Sequence, residues 1–144
     1  MVNDPCQLYQ ESDDAEIDVI WMPLRVDQSM AVQIEDGSCI IGMDPWKLKT
    51  VADEVTSLGH ELGHCKTGSF YDPSAKFDLK KKHENRADRW AIKRLVPLND
   101  FDTAIATGHV ELWDLADYFN VTEDFMKKAV CLYTYGNLAA DLYF

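Results

Sequence analysis

The chain predicts an α+β fold: a small N-terminal antiparallel sheet packed on a long helix that carries His60-Glu61-Leu62-Gly63-His64, with further helices towards the C-terminus. Three patterns predict it. Short apolar runs flank a turn signal in the first third, which reads as strands. One apolar stripe of helical period then runs through the histidine motif. The last third breaks into helical stretches separated by Gly and Asn.

Ile17-Asp18-Val19-Ile20-Trp21 is strand-like, with Pro23 near its end. Met30–Ile34 and Cys39–Met43 flank Glu35-Asp36-Gly37-Ser38, a hairpin signal. Asp44-Pro45 reads as a helix start, Asp as the cap and Pro at the first helical position. Val51, Val55, Leu58 and Leu62 then form one stripe that must face a core. At about 100° per residue, His60 and His64 fall nearly opposite it and face a cleft or solvent. Gly59 and Gly63 lower helix propensity, which close approach of another segment would explain. The helix should stop near Cys65-Lys66, because Thr67-Gly68-Ser69 is turn material.

A second helix is expected over Lys80–Leu95, with Ala87, Trp90, Ala91 and Leu95 as its packing patch. Beyond it, Phe101–Thr107 forms a helix ending at Gly108, and Val110–Phe119 another. Asn120-Val121-Thr122 is a tight connection, with Thr122 capping a last helix through Tyr133. Leu115-Ala116-Asp117-Tyr118-Phe119-Asn120-Val121-Thr122 resembles a helix-turn-helix segment. Its second helix opens with Glu123-Asp124, which suits a packing scaffold or a dock for a protein better than a DNA reader.

The chemistry lies in the motif. Histidines four apart on a helix share a face and can close on one metal ion, with Glu61 placed to take a proton from a water beside it. This is a zincin-like active-site helix. Catalytic zinc needs three protein ligands and an open position. Glu84, on the second helix beside small residues, is the third candidate. Asp88, one turn on, is placed to accept the free ring N–H of His60 or His64 and fix its tautomer. Rivals are His83, which points away from Glu84, and Asp72 and Asp78 in the connection. A Cys65 thiolate would bind zinc, but its direction lies nearer the apolar stripe and suits a small buried residue. A third histidine at the extended spacing is absent, because Phe70 occupies that place. Tyr71 and His83 are candidates for contact with a substrate oxyanion.

The stretch from Val51 through the motif to Cys65, and His83-Glu84-Asn85-Arg86-Ala87-Asp88-Arg89-Trp90-Ala91 through Pro97, resemble the ImmA/IrrE family of small metallopeptidases, found in phages, integrative elements and bacterial genomes. The resemblance also covers Asp18–Leu24 and the C-terminal helices. It implies Zn2+ held by His60, His64 and Glu84, with Glu61 as the catalytic general base. It further implies a protein substrate, a helix-turn-helix transcriptional repressor of a phage or integrative element. The alternative is a catalytically idle zinc protein that displaces the repressor without cutting it. Two departures stand out. Many members carry a further histidine past the motif, where this chain has Cys65–Tyr71. Asp4-Pro5 and Ser12-Asp13-Asp14 should break up the family's leading helix, leaving at most a short one.

The remaining bounds are compositional. At 144 residues and 47% hydrophobic content the chain suits a single metallopeptidase domain that needs no disulfide, with a catalytic core over about 16–98 and a helix-turn-helix-like subdomain over 99–144. No apolar run is long enough to span a membrane. The first fifteen residues are acidic and polar, unlike a signal peptide. Cys6, Cys39, Cys65 and Cys131 form no CxxC pair, which reads as reduced thiols in a cytoplasm. A net charge of −11 argues against binding to nucleic-acid phosphates. The acidic surface suits solubility or the steering of a basic partner.

Overall fold

The computed structural model describes residues 2–144. Helix α1 (Pro5–Asp14) leads into β1 (Asp18–Trp21), β2 (Ser29–Gln33) and β3 (Cys39–Met43). Helices α2 (Val51–Thr67) and α3 (Phe77–Leu95) follow. The chain closes with α4 (Leu98–Ala106), α5 (Leu112–Phe119), α6 (Glu123–Tyr135) and a 3-10 turn at Ala140–Leu142. The α+β arrangement is the expected one: a small sheet lies against the motif helix, and the remaining helices come after it.

Several expectations need correction in detail. The hairpin β2–β3 is antiparallel, but β1 joins the far side of β3 in parallel, so the sheet is mixed with order β1-β3-β2. Asp4 and Pro5 start α1 rather than break it: the Asp4 carboxylate accepts from the Cys6 N–H, and Pro5 takes a first-turn position. Ser12 is tolerated inside this short helix because its hydroxyl donates to the Leu8 carbonyl. Asp44-Pro45 does not begin α2. The buried Asp44 carboxylate accepts from the backbone N–H groups of Leu24 and Trp46 and orders the preceding turn. The helix begins six residues later, at Val51, where Thr50 and Asp53 form a reciprocal capping box. Helix α3 begins at Phe77, three residues before the expected Lys80, and α4 begins at Leu98.

Nor are all four thiols reduced. Cys39, at the start of β3, is disulfide-bonded to Cys65 near the end of α2, with Cα atoms 5.8 Å apart. The separation of 26 residues hides a contact that exists only because β3 packs beside the last turns of α2. Cys6 is exposed and free; Cys131 is buried and free.

Val55, Leu58 and Leu62 are fully buried in one core with Ile41 and Met43 of the sheet, Ala91, Ile92 and Leu95 of α3, and Phe119 and Met126 of the later helices. Val51, at the first turn, stays half exposed. The two glycines of α2 face α3. A Cβ on Gly63 would lie 2.5 Å from the Ala87 carbonyl oxygen, whereas one on Gly59 would meet the flexible end of Leu95 at 2.6 Å. Backbone cannot yield as a side-chain tip can. Gly63→Ala should therefore destabilise the protein by about 2–3 kcal/mol and Gly59→Ala by clearly less, read by urea unfolding. Equal costs would mean that α3 shifts freely against α2.

Candidate metal centre

Helix α2 aims His60, Glu61 and His64 into a cleft of about 950 Å³ whose other walls come from Gln28–Ala31 of the β2 edge, Phe70–Tyr71 after the helix, and Glu84 of α3. Gly68 ends α2 in the left-handed conformation, φ 65°, and turns the chain back. That turn brings the Ser69 carbonyl to 2.5 Å from His64 Nδ1. Asp88 Oδ1 stands 2.8 Å from His60 Nδ1. Each imidazole thus donates its Nδ1–H away from the cleft and turns its Nε2 lone pair into it.

Those lone pairs converge. His60 Nε2 and His64 Nε2 are 3.2 Å apart, and Glu84 Oε2 lies 2.8 Å from the first and 3.2 Å from the second. The three residues form the one cluster of potential metal ligands found among the described residues. With both Nδ1 positions already donating, the triangle is made of acceptors alone and needs a cation to hold it. Tetrahedral zinc places N and O ligands roughly 3.3–3.5 Å apart, so an opening of a few tenths of an ångström suffices. The donor set fits a metal ion.

Without one, protons take that role. Burial pushes the His60 imidazole down, but hydrogen bonds to Asp88 and Glu84 outweigh it and bring its pKa up to about 10. His64 is raised in the same way, against its own burial, by Glu84 and the Ser69 carbonyl. Burial alone would raise Glu84 and Asp88; bonds from His60, and at Glu84 also from His64 and Tyr71, hold both below the usual carboxylate range.

Glu61 behaves differently. It is 5% exposed, and burial lifts its pKa above the ordinary carboxylate value although His60 and Ser29 act against this. The Ser29 hydroxyl donates to Glu61 Oε2 at 2.6 Å. Tyr71 overhangs the cleft, and its hydroxyl donates to Glu84 Oε1 at 2.6 Å. Burial and this bond raise the Tyr71 pKa to about 12, so the phenol stays protonated.

The other candidates lie elsewhere. His83 is not among the residues lining the cleft; its ring packs beside Tyr71, centroids 6.1 Å apart, and its Nδ1 is buried without a partner. Asp72 accepts from the N–H and hydroxyl of Ser74 and holds its own loop. Asp78 sits in the first turn of α3, and Cys65 is in the disulfide. Sequence reasoning missed Ser29, the Ser69 carbonyl and Lys128, whose Nζ donates to Asp88 Oδ2 at 3.0 Å. The Gly68 turn was a usable signal for Ser69; nothing near the motif points to the other two.

A histidine pair from HExxH, a glutamate from the next helix and a buried glutamate inside the motif match the metal-binding constellation of metallopeptidases. The sequence profile of the peptidase family described as the IrrE N-terminal-like domain matches residues 13–130, and the chain belongs to that family. Comparison with curated proteins finds no match. Among solved structures, a Mycobacterium tuberculosis transcriptional regulator is similar with a TM-score of 0.65 and 14% identity, over 88% of this chain and 40% of that one. At that identity the likeness is one of fold, and this chain spans about two fifths of the regulator's length.

Proposed function

We propose that the chain is a zinc-dependent endopeptidase whose substrate is a helix-turn-helix transcriptional repressor of a phage or integrative element. The observation that carries the peptidase reading is the all-acceptor triangle of His60, His64 and Glu84 with the Glu61 carboxylate beside it in the same cleft. These three residues would hold the ion. Bound there, zinc supplies a Lewis acid for a water molecule and for the scissile carbonyl.

The chain's own groups do the rest. Glu61 accepts a proton from the water and passes it to the leaving amine; a carboxylate with a raised pKa is better matched to that task near neutrality. Ser29 orients Glu61, and Asp88 fixes the His60 ring with its Nε2 free. Tyr71, kept protonated, would donate to the oxyanion by turning its single O–H away from Glu84 Oε1. His83 packs against Tyr71 and orients it rather than meeting substrate. β2 pairs only with β3, so its outer edge, which lines the cleft, is free to receive an extended peptide as a further strand.

The repressor reading rests on the family and on the acidic surface. The −11 net charge opposes binding to duplex DNA and favours a basic protein partner. The helix-turn-helix-like segment does not present a basic face: Lys127 pairs with Asp124, and Lys128 reaches inward to Asp88. Among the described residues no helix is long and apolar enough to cross a membrane. Acting on a repressor places the protein in the cytoplasm.

The test is incubation of zinc-loaded protein with the helix-turn-helix repressor encoded beside its gene, followed by mass spectrometry. Discrete repressor fragments are expected. A stable complex with no fragments would replace cleavage by displacement, and neither fragments nor complex would reject that repressor as the partner.

A further inference from the structure

We propose that Lys128 of α6 is a positioning residue for the metal site, acting through Asp88 on His60. The proposal rests on the zinc reading above and adds the C-terminal helix to the working parts of the site.

Asp88 is a buried carboxylate with two oxygens and a different partner on each. Oδ1 accepts from His60 Nδ1 at 2.8 Å; Oδ2 accepts from Lys128 Nζ at 3.0 Å. A buried carboxylate keeps its charge and orientation only when both oxygens are satisfied. Remove the lysine, and Oδ2 loses its partner. The carboxylate can then rotate to solvate that oxygen. That rotation loosens the side-chain bond that sets the His60 ring from behind. His60 Nε2 would then wander relative to His64 and Glu84, and a metal site held to a fraction of an ångström would weaken.

Lys128 is built to hold still. Its neighbours in α6, Met126 and Ala129, are fully buried and seat the helix in the core. Each end of α6 is tied to a helix of the site: the Thr122 N–H donates to Thr56 Oγ1 of α2 at 3.0 Å, and the Tyr133 hydroxyl donates to the Val96 carbonyl just past α3 at 2.6 Å. Lys128 also lines a second cleft of about 450 Å³ that runs from His60 and Glu84 past Asn85 and Asp88 to Thr122 and Phe125. The lysine side chain is 42% exposed, so screening leaves it little worth as a clamp between helices. Its partner is the carboxylate that already braces a metal-binding histidine, which is where a small displacement is felt.

A double-mutant cycle decides the matter. Zinc affinity is measured by chelator competition for the parent, Lys128→Met, Lys128→Arg, Asp88→Asn and the Asp88→Asn/Lys128→Met pair, each checked by thermal melting. Removing a partner of an outer carboxylate should cost less than removing the carboxylate, so Lys128→Met should weaken zinc about 3- to 10-fold. Lys128→Arg should restore affinity to within about twofold, since it keeps the charged donor. In the Asp88→Asn background the lysine change should cost nothing more, because the path runs through Asp88. Unchanged zinc affinity in Lys128→Met, even with a lowered melting temperature, would make the lysine a structural contact and overturn the proposal. So would an equal loss in both backgrounds. A parent protein that binds no zinc would instead sink the metallopeptidase reading, and this one with it.

Discussion

Glu61→Gln should keep the fold and the zinc and lose proteolysis. The amide is nearly the same shape as the carboxylate, and its oxygen still accepts from the Ser29 hydroxyl that holds Glu61 now. None of the three converging ligand atoms is touched. What disappears is the ability to take a proton. General-base catalysis contributes about 10²- to 10⁴-fold, and turnover of the repressor should fall by that much at unchanged zinc content. The parent's pH profile carries the same information. Glu61 must be ionised to act, so the acid limb of kcat/KM should follow its titration, which burial pushes up and the charge of bound zinc would push down. The sign for stability is opposite. A carboxyl with a raised folded-state pKa binds its proton more tightly when folded, so stability is lost as pH climbs from the unfolded value through the folded one. Above the unfolded carboxyl's range the zinc-free parent therefore bears a cost that Gln lacks, and the zinc-free variant should melt higher. Cleavage at the parent's rate would remove Glu61 as the base; a lower melting temperature would show that the buried charge is fully compensated.

What could be read from the chain follows the range of the interactions involved. The motif geometry depends on residues one helical turn apart. His60 with His64, and Glu84 with Asp88, could therefore be placed on common faces by counting. Their meeting across α2 and α3 was legible because Gly59 and Gly63 mark where the two helices touch. Contacts from outside this pair carried no local mark. Ser29 lies 32 residues before Glu61, and Lys128 lies 40 after Asp88. Lys128 lies in a helix read as a packing scaffold or a protein dock, and nothing in its own segment shows that it reaches inward to Asp88. The parallel pairing of β1 with β3 and the Cys39–Cys65 bond are hidden for the same reason. The misplaced start of α2 has another cause: Asp44-Pro45 and Thr50–Asp53 are both valid cap signals. The reciprocal box won because it satisfies two backbone donors, while Asp44 was taken by Leu24 and Trp46.

Glu84→Ala should lose most of the zinc. Two imidazoles remain with their Nδ1 partners in place, but the charge-neutralising third corner of the triangle is gone. Outer-sphere partners are worth about 10- to 100-fold in metal affinity, and loss of a direct ligand should exceed the upper end of that range in chelator competition. A second readout needs no metal. In the zinc-free protein His60 is held protonated, with its pKa raised to about 10, and Glu84 is held ionised below its usual range. A raised histidine contributes stability that is complete below about pH 6.5 and fades as pH rises towards 10; a depressed carboxylate contributes above about pH 4.5 and fades below it. Their joint contribution is therefore largest between about pH 4.5 and 6.5. Removing Glu84 should shrink it, and the zinc-free variant should show a flatter melting profile from pH 6.5 to 10, with Asp88 keeping part of the slope. The same bound proton makes zinc uptake by the parent release protons near neutrality, to be seen as a buffer-dependent heat in calorimetry. Full zinc occupancy in Glu84→Ala would reject Glu84 as a ligand. Asp72 would then have to leave Ser74, or Asp78 the first turn of α3, to reach the histidines. An unaltered pH profile in the zinc-free variant would show that Glu84 does not govern the His60 proton.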